Sequence, residues 1–121
     1  AAVLVVDDEE PVRSFIARLL DRAGYRVLEA PDGEQALALA RTEPEAIGVL
    51  LTDVMMPGIK GPELARQVRA IIPAVHVILM TGYAAEELNR ERDELEGVLL
   101  YKPVSSADLL RTIETCVATS A

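Results

Sequence analysis

Cys116 is the only cysteine, so no disulfide can form within the chain. Tryptophan is absent and aromatic residues make up 3% of the sequence, so a core here has to be aliphatic, built from Val, Leu, Ile and Ala. No apolar run approaches the ~20 residues that a membrane-spanning helix needs. The longest runs, such as Val3–Val6, have the length of a strand. No basic segment precedes a long apolar one, so no signal peptide is visible. Positive charge is in deficit: 12 Lys and Arg stand against 20 Asp and Glu, leaving a net charge of −8. That balance disfavours nonspecific binding to nucleic acid or an anionic membrane. There is no glycine-rich phosphate loop of the Walker type and no dinucleotide fingerprint. With these classes set aside, the default compartment is the cytoplasm. The 121 residues, half of them apolar, fit one domain with one substantial core. The chain begins at Ala1 rather than Met, as a domain trimmed from something longer does.

Apolar strand-like runs alternate with amphipathic helical stretches, with no internal repeat, linker or low-complexity segment. Val3–Val6 ends at Asp7. Pro11 suits the first turn of a helix, and Val12, Phe15, Ile16, Leu19, Leu20 and Ala23 follow at helical spacing until Gly24 ends it. Arg26–Ala30 is a short strand. Asp32 is an N-cap with Gln35 three residues on, opening a helix that carries Ala36, Leu37 and Ala40 and stops before Pro44. Ile47–Thr52 is a buried strand closed by Asp53, and Val54–Gly61 is a loop. Pro62 opens a third helix with Leu64, Ala65, Val68 and Ile72 inward. Val75–Met80 is a strand followed by Thr81-Gly82, and Ala84–Leu95 is a densely charged helix. Val98–Tyr101 is a last strand, cut by Lys102-Pro103. Ser105 or Ser106 then caps a helix with Leu109, Leu110, Ile113, Cys116 and Val117 inward.

Five strands alternating with five helices is the doubly wound α/β pattern, with a buried parallel sheet and right-handed crossovers. The flavodoxin-like order 2-1-3-4-5 makes the first and third strands neighbours, and sites in such sheets lie at the carboxyl ends of the strands. Four polar positions sit at those ends: Asp7-Asp8, Asp53, Thr81 and Lys102. Read singly, Asp7 and Asp8 cap the next helix and Asp53 starts a turn. Read together, they form one acidic pocket with a lysine and a hydroxyl beside it.

Crowded carboxylates repel: two of them about 4 Å apart cost on the order of 4 kcal/mol at an effective dielectric of about 20. Protonation or a hard cation relieves the repulsion. Oxygen ligands without His or Cys suit Mg²⁺, which keeps waters and often shares a phosphate. A carboxylate can accept a phosphoryl group, a metal can neutralise the oxygens in flight, and a lysine can pair with the charge. Acyl hydrolysis fits poorly, because no Ser/His or Cys/His pair lies at the strand ends. His76 reads as a strand-end residue and Cys116 as core.

The residues resemble the receiver domains of two-component response regulators. The resemblance is carried by Val5-Val6-Asp7-Asp8-Glu9, by Thr52-Asp53-Val54-Met55-Met56-Pro57-Gly58 with Gly61, by Met80-Thr81-Gly82 and by Lys102-Pro103. These run in the family's order and spacing across residues 1–121, read as one receiver domain. The resemblance implies that Asp53 is the phosphoacceptor and that Asp8 ligates Mg²⁺ with help from Asp7. It implies the main-chain carbonyl of Met55 as a further ligand, Thr81 as the switch hydroxyl and Lys102 as the phosphate-pairing lysine. Pro103 matches a proline commonly preceded by a cis bond. Met55 and Tyr83 match positions that flank the path of the hydrolytic water. The implied partner is a sensor histidine kinase or its phosphotransfer domain. Direct nucleic-acid binding and membrane insertion are not expected, and neither the cognate kinase nor a dimer is readable.

One position departs from the pattern. The family's switch aromatic lies three residues before the lysine, where this chain has Leu99. Tyr101 shares the face of Leu99 by strand alternation and reads as a strand-end packing residue. Two other functions remain open from the sequence. A Mg²⁺-dependent phosphatase would use Asp53 on external substrates, but such enzymes often carry a second Asp where Met55 stands, and no cap insertion is present. A receiver-like module could bind partners without phosphorylation, against which the intact acidic set argues. The Gly61-Pro62-Glu63-Leu64 start and the run from Val98 to Pro103 look most like receivers of hybrid kinases.

Overall fold

A computed structural model describes residues 1–82 and 98–120. The expected helix over Ala84–Leu95, and Tyr83 with it, lies outside the described residues. Five strands form one parallel sheet in the order β2-β1-β3-β4-β5. They are β1 (Ala2–Val6), β2 (Arg26–Ala30), β3 (Ile47–Asp53), β4 (His76–Thr81) and β5 (Val98–Tyr101). Among the described residues there are four helices: α1 (Glu10–Arg22), α2 (Gly33–Thr42), α3 (Gly61–Ile71) and α4 (Ser106–Ser120). The sheet topology is the expected doubly wound one.

Strand alternation divides the core between the two faces of the sheet. Leu4, Leu50, Val77 and Leu79 face one way, against Ala36, Leu37 and Ala40 of α2 and Leu64, Ala65 and Val68 of α3. Val3, Val5, Val49, Leu51, Ile78 and Met80 face the other way, against Ile16 and Leu20 of α1 and Leu109, Ile113 and Cys116 of α4. Burying each such Leu, Ile or Val contributes about 1.5–3 kcal/mol. Central strands buried on both faces read as continuous apolar runs, which is why β1, β3 and β4 were legible without an alternating pattern.

The helix ends follow local chemistry. The Asp32 side chain accepts from the Gln35 N–H at 2.8 Å. Ser105 Oγ accepts from the Asp108 N–H at 3.1 Å, so Ser105 rather than Ser106 caps α4. Gly24 follows α1 at φ +96°, a left-handed conformation that favours glycine. The apolar face of α1 is narrower than its periodicity suggests. Phe15 is 57% exposed and Ala23 is exposed, because only the Ile16 and Leu20 side of the helix meets the sheet.

Gly61 lets the β3–α3 loop close tightly on β3. A Cβ there would lie 2.4 Å from the Asp53 carbonyl oxygen and 2.9 Å from Val54 Cα. The Gly61 N–H also donates to the Val54 carbonyl at 2.9 Å. Gly61→Ala therefore has to push backbone against backbone. Its urea midpoint should fall by the equivalent of about 1–3 kcal/mol, measured by far-UV circular dichroism. An unchanged midpoint would contradict this close approach.

Candidate functional site

Parallel strands end on a common edge, and the register decides which side chains meet there. Val6 pairs with Thr52, so Asp7 and Asp53 leave their strands side by side. Asp53 pairs with Met80 and Thr81 with Tyr101, which brings the ends of β4 and β5 to the same edge. By alternation Asp7, Asp53 and Lys102 continue the face packed by α1 and α4, whereas Thr81 continues the other face. The first three are in direct contact. Lys102 Nζ lies 3.1 Å from Asp53 Oδ2 and 3.3 Å from Asp7 Oδ2.

Each carboxylate is further held by main chain. Asp7 Oδ1 accepts from the Glu9 N–H at 2.9 Å, and Asp53 Oδ1 accepts from the Met55 N–H at 3.3 Å. The Lys102 N–H donates to the Thr81 carbonyl at 2.7 Å, tying the lysine to the end of β4. The Lys102–Pro103 peptide is cis. Burial opposes the charge on Lys102. Its hydrogen bond to Asp53 and the attraction of Asp7 and Asp53 outweigh that penalty, and its pKa rises above the usual lysine value.

Asp7, Asp8 and Asp53 can each offer one oxygen, with the three atoms within 4.8 Å of one another. One ammonium cannot balance three carboxylates, so the pocket retains negative charge. All its side-chain donors are oxygens, a set that suits a hard divalent cation such as Mg²⁺. Access differs among the three. Asp7 is fully buried, Asp53 is 7% exposed and Asp8 is exposed. Thr81 is buried at the same edge. The Met55 side chain is 43% exposed beside Asp53, whereas Met56 points into the core. An apolar groove of about 540 Å³ opens beside the pocket, lined by Pro11, Phe15, Leu19, Pro103 and Val104, with Lys102 also on its wall.

The sequence reasoning placed Asp7, Asp8, Asp53, Thr81 and Lys102 at this edge; the structure brings Asp7, Asp8, Asp53 and Lys102 together, with Thr81 at the same edge but continuing the other face of the sheet. His76 opens β4 at the opposite edge, and Cys116 is buried in the core, where desolvation raises its thiol pKa. Tyr101 is 40% exposed, so it is less a packing residue than its strand position suggested. Sequence reading missed Arg13, whose Nη1 donates to the Asp7 carbonyl at 2.9 Å. A basic residue in the second turn of a helix that follows an acidic pair was the available signal.

Comparison with known proteins gives the same family from three directions. The response regulator receiver domain family matches residues 3–114. The response regulator receiver protein CpdR of Brucella abortus is 36% identical over 113 residues, covering 93% of this chain and 92% of that protein. The sensor kinase CckA of the same organism is 34% identical over 94% of this chain, which spans only 12% of the kinase. Among solved structures, a response regulator receiver domain protein from Clostridium thermocellum superposes with a TM-score of 0.90 at 30% identity, covering 99% of this chain and 96% of that one. The receiver domain of the hybrid histidine kinase CckA superposes at 0.84 with 36% identity, covering 97% of this chain and 99% of that one. With its sheet order, its acidic edge and these relatives in agreement, this chain belongs to the response regulator receiver domain family, the signalling modules of two-component systems.

Proposed function

We propose that Asp53 accepts a phosphoryl group from a phosphohistidine of a sensor histidine kinase or its phosphotransfer domain, in a Mg²⁺-dependent step. The observation that carries this reading is the position of Asp53. It is the carboxylate that combines an ion pair with Lys102 at 3.1 Å and an opening to solvent. Asp7 has the ion pair but is fully buried, and Asp8 is exposed while the salt bridges of Lys102 go to the other two.

Asp7, Asp8, Asp53 and the main-chain carbonyl of Met55 would hold the cation. When bound, it neutralises phosphoryl oxygens and orients the donor. An Asp53 oxygen attacks phosphorus, the new O–P bond forms as the P–N bond breaks, and the bonding pair leaves with the imidazole nitrogen. Lys102 passes from the Asp53 carboxylate to the phosphoryl oxygens, and the Thr81 hydroxyl hydrogen-bonds another of them. The donor approaches over the rim that Phe15 and Pro103 make beside the pocket, where apolar surface is open.

The recruitment of Thr81 and Lys102 shifts a two-state equilibrium in the last helix–strand–helix region, which is the switch. The chain catalyses its own phosphorylation and dephosphorylation and turns over no external substrate. Residues 1–121 act as one receiver unit in the cytoplasm. Among the described residues no helix is long and apolar enough to cross a membrane.

Incubation with Mg²⁺ and a small acyl phosphate should add one phosphoryl mass to the intact protein. Asp53→Asn should add none, and chelation with EDTA should stop the reaction. Labelling of Asp53→Asn at the rate of the unaltered chain would sink the proposal. Met55 generates a second expectation. Its half-exposed apolar side chain stands two residues after Asp53, and we read it as shielding the acyl phosphate from an attacking water. Met55→Asn should shorten the half-life of the acyl phosphate several-fold, followed by loss of phosphoryl mass after the donor is removed. Equal decay rates would reject the shielding role.

A further inference from the structure

We propose that Arg13 is a positioning residue for the cation site, holding the Asp7–Asp8 peptide in the orientation that aims both carboxylates at one ion. The proposal rests on the reading of Asp7, Asp8 and Asp53 as Mg²⁺ ligands. Arg13 lies in the second turn of α1 with its side chain 15% exposed. Its Nη1 donates to the Asp7 main-chain oxygen at 2.9 Å, while its Nε lies 3.4 Å from Glu29 Oε1 on β2. One guanidinium thus spans the start of α1, the end of β1 and the neighbouring strand.

The other polar atoms of Asp7 are already engaged. Its N–H donates to the Ala30 carbonyl at 3.3 Å, Oδ1 accepts from Glu9 and Oδ2 from Lys102. Asp7 is fully buried, so its carbonyl has no bulk water to turn to if Arg13 is removed. The peptide unit is planar, so a donor that fixes the Asp7 carbonyl oxygen also fixes the nitrogen of Asp8. The direction in which the chain leaves for Asp8 therefore depends on Arg13. An ion pair from Nε to the half-exposed Glu29 favours this orientation of the guanidinium while Nη1 serves the carbonyl. A lysine can bridge two acceptors only when both lie within reach of one nitrogen, and it lacks the planar fork that here serves the carbonyl and the carboxylate from separate nitrogens.

Charge and position act with opposite signs here, which makes the role separable. If Arg13 acted only as a nearby cation it would repel Mg²⁺, and removing it would tighten binding. If it positions ligands, removing it weakens binding, as loss of outer hydrogen-bond partners does at metal sites.

The test is a Mg²⁺ titration of the full chain, followed by backbone amide shifts at residues 7, 8 and 53 in ¹H–¹⁵N spectra. Far-UV circular dichroism reports fold and Tm alongside. Arg13→Ala and Arg13→Lys should each bind Mg²⁺ about tenfold more weakly than the unaltered chain, with native dichroism at the titration temperature. Glu29→Gln should weaken binding in the same direction by less. A Kd equal to or tighter than that of the unaltered chain in Arg13→Lys overturns the proposal, even if Tm falls, since a merely stabilising contact would lower Tm and leave the affinity of the folded chain intact. Should Arg13→Ala fail to fold, Arg13→Lys decides the matter alone. An unaltered chain without Mg²⁺-dependent shifts overturns the reading of the site itself. An unaltered chain that binds, with variants that bind as well, overturns only the role of Arg13.

Discussion

The ammonium of Lys102 between Asp7 and Asp53 is the contact on which the acidic edge depends. Two carboxylates have been brought to adjacent strand ends, one of them with no exposed surface, and a third follows in the next residue. At separations of about 4 Å each like-charged pair is unfavourable by about 4 kcal/mol at an effective dielectric of about 20. Lys102 offsets part of this through contacts of 3.1 and 3.3 Å, and its own pKa rises in consequence. The compensation is incomplete, three negative charges against one positive. That uncompensated negative charge, presented by oxygen donors alone, is the kind of set that can hold a hard divalent cation.

The fold supplies this arrangement at little cost elsewhere. A sheet in the order 2-1-3-4-5 places β1 and β3 side by side at its centre, where both faces are covered and every strand residue but the last can be apolar. Charge is tolerated only where the strands stop. The Gly61 contact tightens the same point from the other side. Because Gly61 has no Cβ to strike the Asp53 carbonyl, the loop that carries Met55 can pack onto the end of β3 instead of arching away from it. Asp53 is therefore fixed by backbone on one side, through the Met55 N–H, and by Lys102 on the other.

The departure at Leu99 takes on a physical meaning once the register is known. Leu99 pairs with Leu79 and packs with the core on the α2 and α3 face. Tyr101 pairs with Thr81 and shares that face by alternation, yet its side chain is 40% exposed. The aromatic ring adjacent in register to the Thr81 hydroxyl thus lies at the surface, and the position that an aromatic usually takes is filled by an aliphatic side chain already committed to the core.

What was legible in the sequence was what local rules control. Apolar runs that end in Asp7, Asp53 and Thr81 mark buried strands and their carboxyl ends, and the doubly wound order then forces those ends together. The cap at Asp32 was legible, and that at Ser105 to within one residue, because their hydrogen bonds reach only three residues ahead. The missed features depend on distances that no local pattern encodes. Phe15 has the right helical spacing to be core, but whether the sheet extends beneath it is set by β5 and α4, some ninety residues away in the chain, and there it lines an open groove instead. The sequence marks Arg13 only as a basic residue in the helix after an acidic pair; its two acceptors, a main-chain carbonyl and a glutamate on another strand, are not encoded in that spacing. Side-chain to main-chain contacts between elements are invisible to periodicity for this reason. A charged side chain only 15% exposed beside an acidic site is where a structure adds to such a reading, because its burial has to be met by partners and those partners are part of the site.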